Sequence, residues 1–316
     1  MDAFLSSVLA CPACKQPLRA DGDDWVCTEA SCAARYPVIN GRPILINEDN
    51  SLFSIDDYRR AKGVTTMDLR PNSVIPIKDR LKRAIRSLIP AKSVSITDFS
   101  AQDALKYIGE RKPCARVLVI GAGDAAYGTA EQHGLKIVYT DVALGPLTSL
   151  VADAHDLPIS GSSFDAAIAV AVMEHVLDPP RVVQEITRVL KPDGIVYSVA
   201  PFMQQVHMGR YDFQRFSERA HRWLWREYSE INSGVANGSG MAAFWALEYF
   251  SRQYTLFKVI TVPLRILLQP LLWIDRLFGI RKSTFDSASA FYFFGERGRK
   301  ELGMKELIEG YRGAQS

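Results

Sequence analysis

The 316-residue chain lacks a long apolar run, a strong excess of charge and a basic start, and it has one cysteine beyond residue 32. Each absence excludes something. A membrane span needs roughly 20 consecutive apolar residues. The most apolar stretch, Tyr254 to Phe278, is broken by Lys258, Pro263, Arg265, Gln269, Pro270, Asp275 and Arg276, which excludes a spanning helix. A formal net charge of +3 is too weak by itself to argue for nucleic acid, where a dense basic face would be expected, and leaves the partner open. The N-terminal MDAFLSSVLAC carries no basic residue and too short an apolar segment for a secretory signal, so the expected location is cytoplasmic. With 47% hydrophobic residues, the chain supports one sizeable core and one or two small modules.

What is present begins with cysteine. Two residues separate Cys11 from Cys14, twelve separate Cys14 from Cys27, and four separate Cys27 from Cys32. In a reducing compartment such close pairs indicate metal rather than disulfides. Two thiolate pairs close a tetrahedron around one zinc ion, which supplies stability that so short a segment cannot draw from apolar burial. The flanks, Leu9 and Ala10 before the first pair and Tyr36 to Leu45 after the last, resemble the small zinc-ribbon proteins that activate eukaryotic tRNA, rRNA and protein methyltransferases. Residues 1–50 are therefore expected to form a zinc-ribbon module. A closed four-cysteine site has no open position for substrate, so its expected role is structural; the functional alternative is that the ribbon grips substrate or lids the acceptor pocket. Cys114 is expected to be an ordinary buried thiol.

Residues 51–112 show no sheet pattern and are punctuated by Pro71, Pro76 and Pro90, which predicts a linker with short helices. Within it Ile77, Leu81, Ile85 and Leu88 share a helical face flanked by Lys78, Arg80, Lys82, Arg83 and Arg86. Such a helix packs on the next domain or lies on an anionic surface.

From residue 113 the pattern becomes that of alternating strands and helices. Val117 to Ile120 is a short apolar run ending at Gly121, Ala122 and Gly123, where the backbone can approach a ligand and a helix can open toward it. Asp141 follows 20 residues after Gly121, where an acid can accept the ribose hydroxyls of an adenosine-containing cofactor. This much also fits a nicotinamide enzyme. The downstream residues decide: Asp153 and Ala154, then Asp156-Leu157-Pro158, Phe164-Asp165 opening a strand, Glu174-His175-Val176, and the turn Lys191-Pro192-Asp193-Gly194. Together they resemble the class I S-adenosylmethionine-dependent methyltransferases, within these the methyltransferase type 11 group.

That resemblance implies an α/β, Rossmann-like fold with a seven-stranded, mostly parallel sheet over residues 113–316. It implies S-adenosyl-L-methionine as cofactor, held by Gly121, Ala122, Gly123, Asp141, Asp153, Ala154 and Val170. The chain departs from the family at Val119, where an acid usually stands two positions before the first glycine, and at Ala125 in place of the third glycine.

The same resemblance directs the cofactor methyl toward the loops after the fourth and fifth strands, which begin at Met173 and Pro201. The second loop concentrates His207, Arg210, Tyr211, Asp212 and Arg215 among Phe202, Phe213 and Phe216, a mixture suited to orienting a polar acceptor. A hydroxyl acceptor needs a base; His207 is the first candidate, His175 the second and Asp212 the third. A helical insertion at about 240–285 is expected to cap the pocket or to dip into a membrane interface. The function expected is O-methylation of a small or lipid-linked, glycan-type acceptor, with peripheral contact at the inner membrane. The alternatives are an rRNA base methyltransferase with an N-terminal zinc module and a non-catalytic cofactor-binding adaptor.

Overall fold

The computed structural model describes residues 3–60, 95–123, 127, 133–254, 258–298 and 300–315. The expected basic helix from Ile77 to Leu88 lies outside the described residues, as do Ala125 and Phe257.

Eleven strands make one sheet. The N-terminal module supplies β1 (Leu18–Asp21), β2 (Asp24–Cys27), β3 (Arg35–Ile39) and β4 (Arg42–Leu45). The catalytic domain supplies β5 (Arg116–Ile120), β6 (Lys136–Asp141), β7 (Leu150–Ala152), β8 (Phe164–Val170), β9 (Leu190–Pro201), β10 (Tyr228–Asn237) and β11 (Ala290–Arg297). The spatial order is β1-β2-β3-β4-β7-β6-β5-β8-β9-β11-β10. The expected seven strands are thus present from β7 to β10, but the sheet is larger. Strand β4 pairs in parallel with β7, Ile44 against Val151 and Leu45 against Ala152. The four ribbon strands therefore continue the catalytic sheet, because an open edge at β7 is a ready template for one more strand.

Alternation along β5 divides the core. Leu118 and Ile120 face one apolar cluster, Val117 and Val119 the other. The first cluster joins Leu5, Leu9, Trp25, Tyr36 and Ile44 of the ribbon to Val182, Ile186 and Val189 of helix Pro179–Val189. Module and domain share one core. That helix starts on an Asp178 side-chain cap with prolines in its first turn, where a missing amide hydrogen costs nothing. The second cluster buries Ala104, Leu105 and Ile108 of helix Ala101–Arg111 against Tyr197 and Phe294. Val119 is buried there, so the position where the family resemblance implies an acid packs as core. Cys114 corrects the expectation of burial: it is exposed, in a turn with φ of 62°, and its neighbour Ala115 is the buried residue.

The insertion forms helices Ser239–Tyr254 and Lys258–Phe278 between β10 and β11. They pack on each other through Met241, Phe244 and Leu272, and Gly240 permits the approach: a Cβ there would lie 2.0 Å from the Leu271 carbonyl oxygen. Buried Glu248 is paired with Arg252 and Arg265. A cap would hide the remaining apolar side chains, yet Phe250, Leu267 and Trp273 are 65%, 73% and 52% exposed.

Beneath β9, His221 is buried with its Nε2 2.9 Å from Ser198 Oγ and accepting Trp225 Nε1–H at 3.3 Å. Burial, with Arg222 nearby, pushes its pKa down to about 3. The folded state therefore prefers neutral imidazole, while the unfolded chain takes up a proton below about pH 6.5. Stability from this group is complete above that pH and is lost as pH falls, at about 1.4 kcal/mol per pH unit. Urea unfolding at pH 7 and 5.5 is expected to show this loss, and His221→Gln, which keeps an acceptor but does not titrate, to remove it. An equal pH slope in the variant would refute the assignment.

Candidate functional site

The four ribbon cysteines converge. Cys11 and Cys32 Sγ lie 3.8 Å apart, Cys14 and Cys27 Sγ 3.4 Å apart, and all four sulfurs are within 4.8 Å of one another. A zinc ion with Zn–S bonds near 2.3 Å separates its sulfurs by about 3.8 Å, so the set fits zinc. The Glu29 amide donates to Cys27 Sγ at 3.4 Å, and Cys11 Sγ is 3.2 Å from the Tyr36 hydroxyl.

At the carboxyl end of β5 the chain turns through Gly121 and Gly123, with φ of 70° and 49°. Gly121 is required twice: its φ is left-handed, and a Cβ would meet Val172 Cγ2 at 2.5 Å. At Gly123 nothing among the described residues lies within 4 Å of a Cβ position, which leaves the backbone there open to a ligand. Asp141, at the end of β6, accepts the Gly123 amide with one carboxylate oxygen and the Ala143 amide with the other, both at 2.8 Å. It braces the glycine turn. Ala154 is buried, and Val170 is half-buried at the end of β8. These residues fit the adenosyl cofactor.

The segment leaving the ribbon runs along the same edge of the sheet. Asn47 and Asn50 donate to Asp156 Oδ2 at 3.0 and 3.1 Å, the Ser51 hydroxyl donates to Asp153, and the Tyr58 hydroxyl donates to the Val142 carbonyl at 2.6 Å. Asp153 also receives the His155 amide at 3.0 Å and its Nδ1 at 2.6 Å. Despite burial, these donors keep its carboxyl below the usual range. Ser51 and Tyr58 had no sequence signal, since a linker serine and tyrosine are unremarkable until the chain passes the sheet edge.

Val172 opens a short turn, Met173–His175, so the acceptor-side residues begin directly over Gly121. His175 Nδ1 lies 2.8 Å from the Tyr211 carbonyl, and its Nε2 is 3.1 Å from Nε2 of His207. Asp212 Oδ2 accepts the His207 amide at 2.8 Å and faces its Nδ1 at 3.3 Å. Arg215 holds Asp212 with both guanidinium nitrogens and donates to the Gln204 and Gln205 carbonyls at 2.8 and 3.1 Å. The loop is clamped from within. The three base candidates are thus in one cluster. Burial lowers the pKa of both histidines; it opposes ionisation of Asp212 too, but Arg215 and the His207 amide hold that carboxyl at about 2.

Glu174 had been given no role. It is fully buried, neither carboxyl oxygen has a hydrogen-bond partner among the described residues, and burial raises its pKa to about 8. Its Oε1 faces both imidazoles, 3.7 Å from His175 Nε2 and 3.8 Å from His207 Nε2. Its adjacency to His175 was the one available signal.

Two outcomes follow. Asp141→Ala is expected to weaken S-adenosylmethionine binding by about 1.5–3 kcal/mol, the scale of lost charge-assisted hydrogen bonds; calorimetric titration measures it, and equal affinities would remove Asp141 from the site. Cys27→Ser is expected to release the ribbon zinc and to lower stability by several kcal/mol, seen as a fall in Tm by scanning calorimetry. An unchanged Tm would show that the shared core holds the ribbon without metal.

Residues 112–198 match the methyltransferase domain family Methyltransf_11. A UPF0434 protein of Paraburkholderia phymatum is 34% identical over 76 residues, 23% of this chain and 98% of the relative. Among solved structures, Burkholderia thailandensis 1,6-didemethyltoxoflavin-N1-methyltransferase is similar at 11% identity, over 89% of this chain and 99% of that one, with a TM-score of 0.40. Haemonchus contortus phosphoethanolamine N-methyltransferase 2 is similar at 17% identity, over 64% and 53% of the two chains, with a TM-score of 0.39. The chain belongs to the UPF0434 family through its N-terminal zinc-ribbon module, and its central domain is a class I S-adenosylmethionine-dependent methyltransferase of the Methyltransf_11 family.

Proposed function

We propose that this methyltransferase acts on an oxygen of a small or lipid-linked, glycan-type acceptor, with the lipid-linked form favoured, and that it works at a membrane surface. One observation carries the preference. The Tyr249 hydroxyl, on the first insertion helix, donates to the Val206 carbonyl at 2.6 Å, which ties the exposed apolar helices to the loop that presents His207.

On the insertion, Leu247, Phe250, Ile266, Leu267, Trp273 and Leu277 are exposed, as are Met203 and Val206 on the loop. Soluble surfaces rarely leave so many large apolar groups together. Cations accompany them: the guanidinium of Arg252 lies over Tyr249, that of Arg276 over Trp273 and that of Arg281 over Phe278. An apolar face rimmed by arginine suits an anionic interface. Among the described residues no helix is long and apolar enough to cross a membrane, so any contact is peripheral.

When bound, S-adenosylmethionine supplies an electrophilic methyl group. Gly121, Gly123 and Asp141 hold the adenosyl portion, with Asp153, Ala154 and Val170 beside it. Displacement at that carbon is in line, so positioning contributes most of the rate. The hydroxyl proton has to leave as the O–C bond forms, and His207 and His175 are the imidazoles gathered on that side. Asp212 and Arg215 keep His207 in place.

Vesicle co-sedimentation tests the membrane reading. Wild type is expected to bind anionic vesicles, less as salt rises, with Trp273→Ser lowering the bound fraction severalfold while cofactor affinity is unchanged. Methyl transfer from labelled S-adenosylmethionine is expected to enter the lipid fraction of a membrane extract. No vesicle binding and label only in water-soluble products would overturn the lipid-linked reading in favour of a small diffusible acceptor.

A further inference from the structure

We propose that Glu174, His175 and His207 form a binding site for one divalent transition-metal ion, separate from the zinc of the ribbon and open toward the acceptor. Three atoms define it: Glu174 Oε1, His175 Nε2 and His207 Nε2, at mutual distances of 3.1, 3.7 and 3.8 Å. A triangle with these sides has its circumcentre about 2.1 Å from every corner, which is the bond length of zinc to imidazole nitrogen and carboxylate oxygen.

Proton accounting points the same way. The Tyr211 carbonyl can only accept, so Nδ1 of His175 carries the hydrogen and its Nε2 presents a lone pair. Asp212, held ionised by Arg215, lies 3.3 Å from Nδ1 of His207, and its negative charge favours the hydrogen on that nitrogen. Two Nε2 atoms then face each other at 3.1 Å beside the Glu174 carboxyl, whose oxygens have no hydrogen-bond partner among the described residues. With no proton shared between the two imidazoles their contact is repulsive, and a cation at the centre, taking the place of the Glu174 proton, satisfies all three. Imidazole ligands of metals characteristically donate their second nitrogen to a backbone carbonyl or a carboxylate. Both partners stand in place here.

The donor set selects the ion. Two imidazoles and one carboxylate suit zinc, iron(II), cobalt(II) or nickel(II) better than magnesium or calcium, which prefer oxygen. Glu174 closes the inner side, while the His175 and His207 side chains are 18% and 24% exposed, leaving outer positions for other ligands. Unlike the four-thiolate ribbon, this site can take an acceptor oxygen.

The part such an ion plays in catalysis rests on the O-methylation proposed above; metal uptake does not. An acceptor hydroxyl on the ion loses its proton to solvent, its oxygen forms the bond to the methyl carbon, and the carbon–sulfur bond breaks to leave S-adenosylhomocysteine. The two imidazoles thus act on the acceptor through the ion rather than by taking the proton themselves.

The test uses full-length protein loaded with cobalt(II) in place of native metal and compares wild type with Glu174→Gln and His207→Ala. Wild type is expected to take up two equivalents, one with the intense sulfur charge-transfer absorption of a tetrathiolate and one with only weak visible bands. Both variants are expected to lose the second equivalent, or at least about tenfold in its affinity, while retaining the thiolate signal and cofactor binding as proof of folding. Uptake of the thiolate-bound equivalent alone by wild type, or a second equivalent retained in both variants, would overturn the site. If wild type takes up the second equivalent but labels no hydroxyl acceptor, the metal site stands and the O-methylation reading fails.

Discussion

The parallel pairing of β4 with β7 is the contact on which the rest of the molecule depends. Two backbone registers, Ile44 with Val151 and Leu45 with Ala152, convert a ribbon too small to fold alone into the continuation of a large sheet. Burial follows from that alignment: Leu9, Trp25 and Tyr36 enter the cluster that holds Leu118 and Ile120. The four thiolates then have a limited task. They fix the knuckles that bring β3 and β4 into register, and the shared core does the rest. Because β4 lies beside β7, the chain leaving it must pass the carboxyl edge of the sheet, where ligands bind in open α/β folds.

That path explains why the cofactor and acceptor sides are joined. Ser51 reaches Asp153, Tyr58 reaches the residue after β6, and the Phe53 ring lies 5.8 Å from that of Tyr211, whose carbonyl orients His175. On the other side Val172 spans from Gly121 to the turn carrying Glu174 and His175. Arg215 supplies the remaining rigidity by gathering Asp212 and two loop carbonyls. A site on loops is precise only when the loops are held at both ends.

What was legible in the sequence was local. The cysteine spacing, the glycine turn and the acid twenty residues later are short-range patterns whose geometry is set by the backbone near them. The base candidates came from two segments, the Met173–His175 turn and the loop rich in histidine and arginine that carries His207 and Asp212, and the fold brings them together. Contacts between distant segments were not legible. Nothing in Ile44 and Leu45 says which strand they will join, so the sheet was expected at seven strands and has eleven. Glu174 read as half of a familiar dipeptide, because its burial and its unpartnered oxygens arise from packing against residues thirty positions away. The insertion showed apolar periodicity, which identifies a face without saying what meets it. Cys114 was misjudged for a similar reason: a one-residue shift in a left-handed turn exchanges it with Ala115 at the surface.

The ribbon tail has a thermodynamic consequence. Its residues touch Asp153, which lies beside the expected adenosyl site, and zinc in the ribbon would help to hold them there. Two ligands that act on one ordered segment are reciprocally coupled: whatever factor zinc adds to cofactor affinity, the cofactor must add to zinc affinity. A cell short of zinc would then retain the metal longest in those copies that hold cofactor, and the metal supply would set the fraction of molecules competent to bind S-adenosylmethionine. A structural ion with no open coordination position thereby becomes a means of regulating occupancy at a site it never touches.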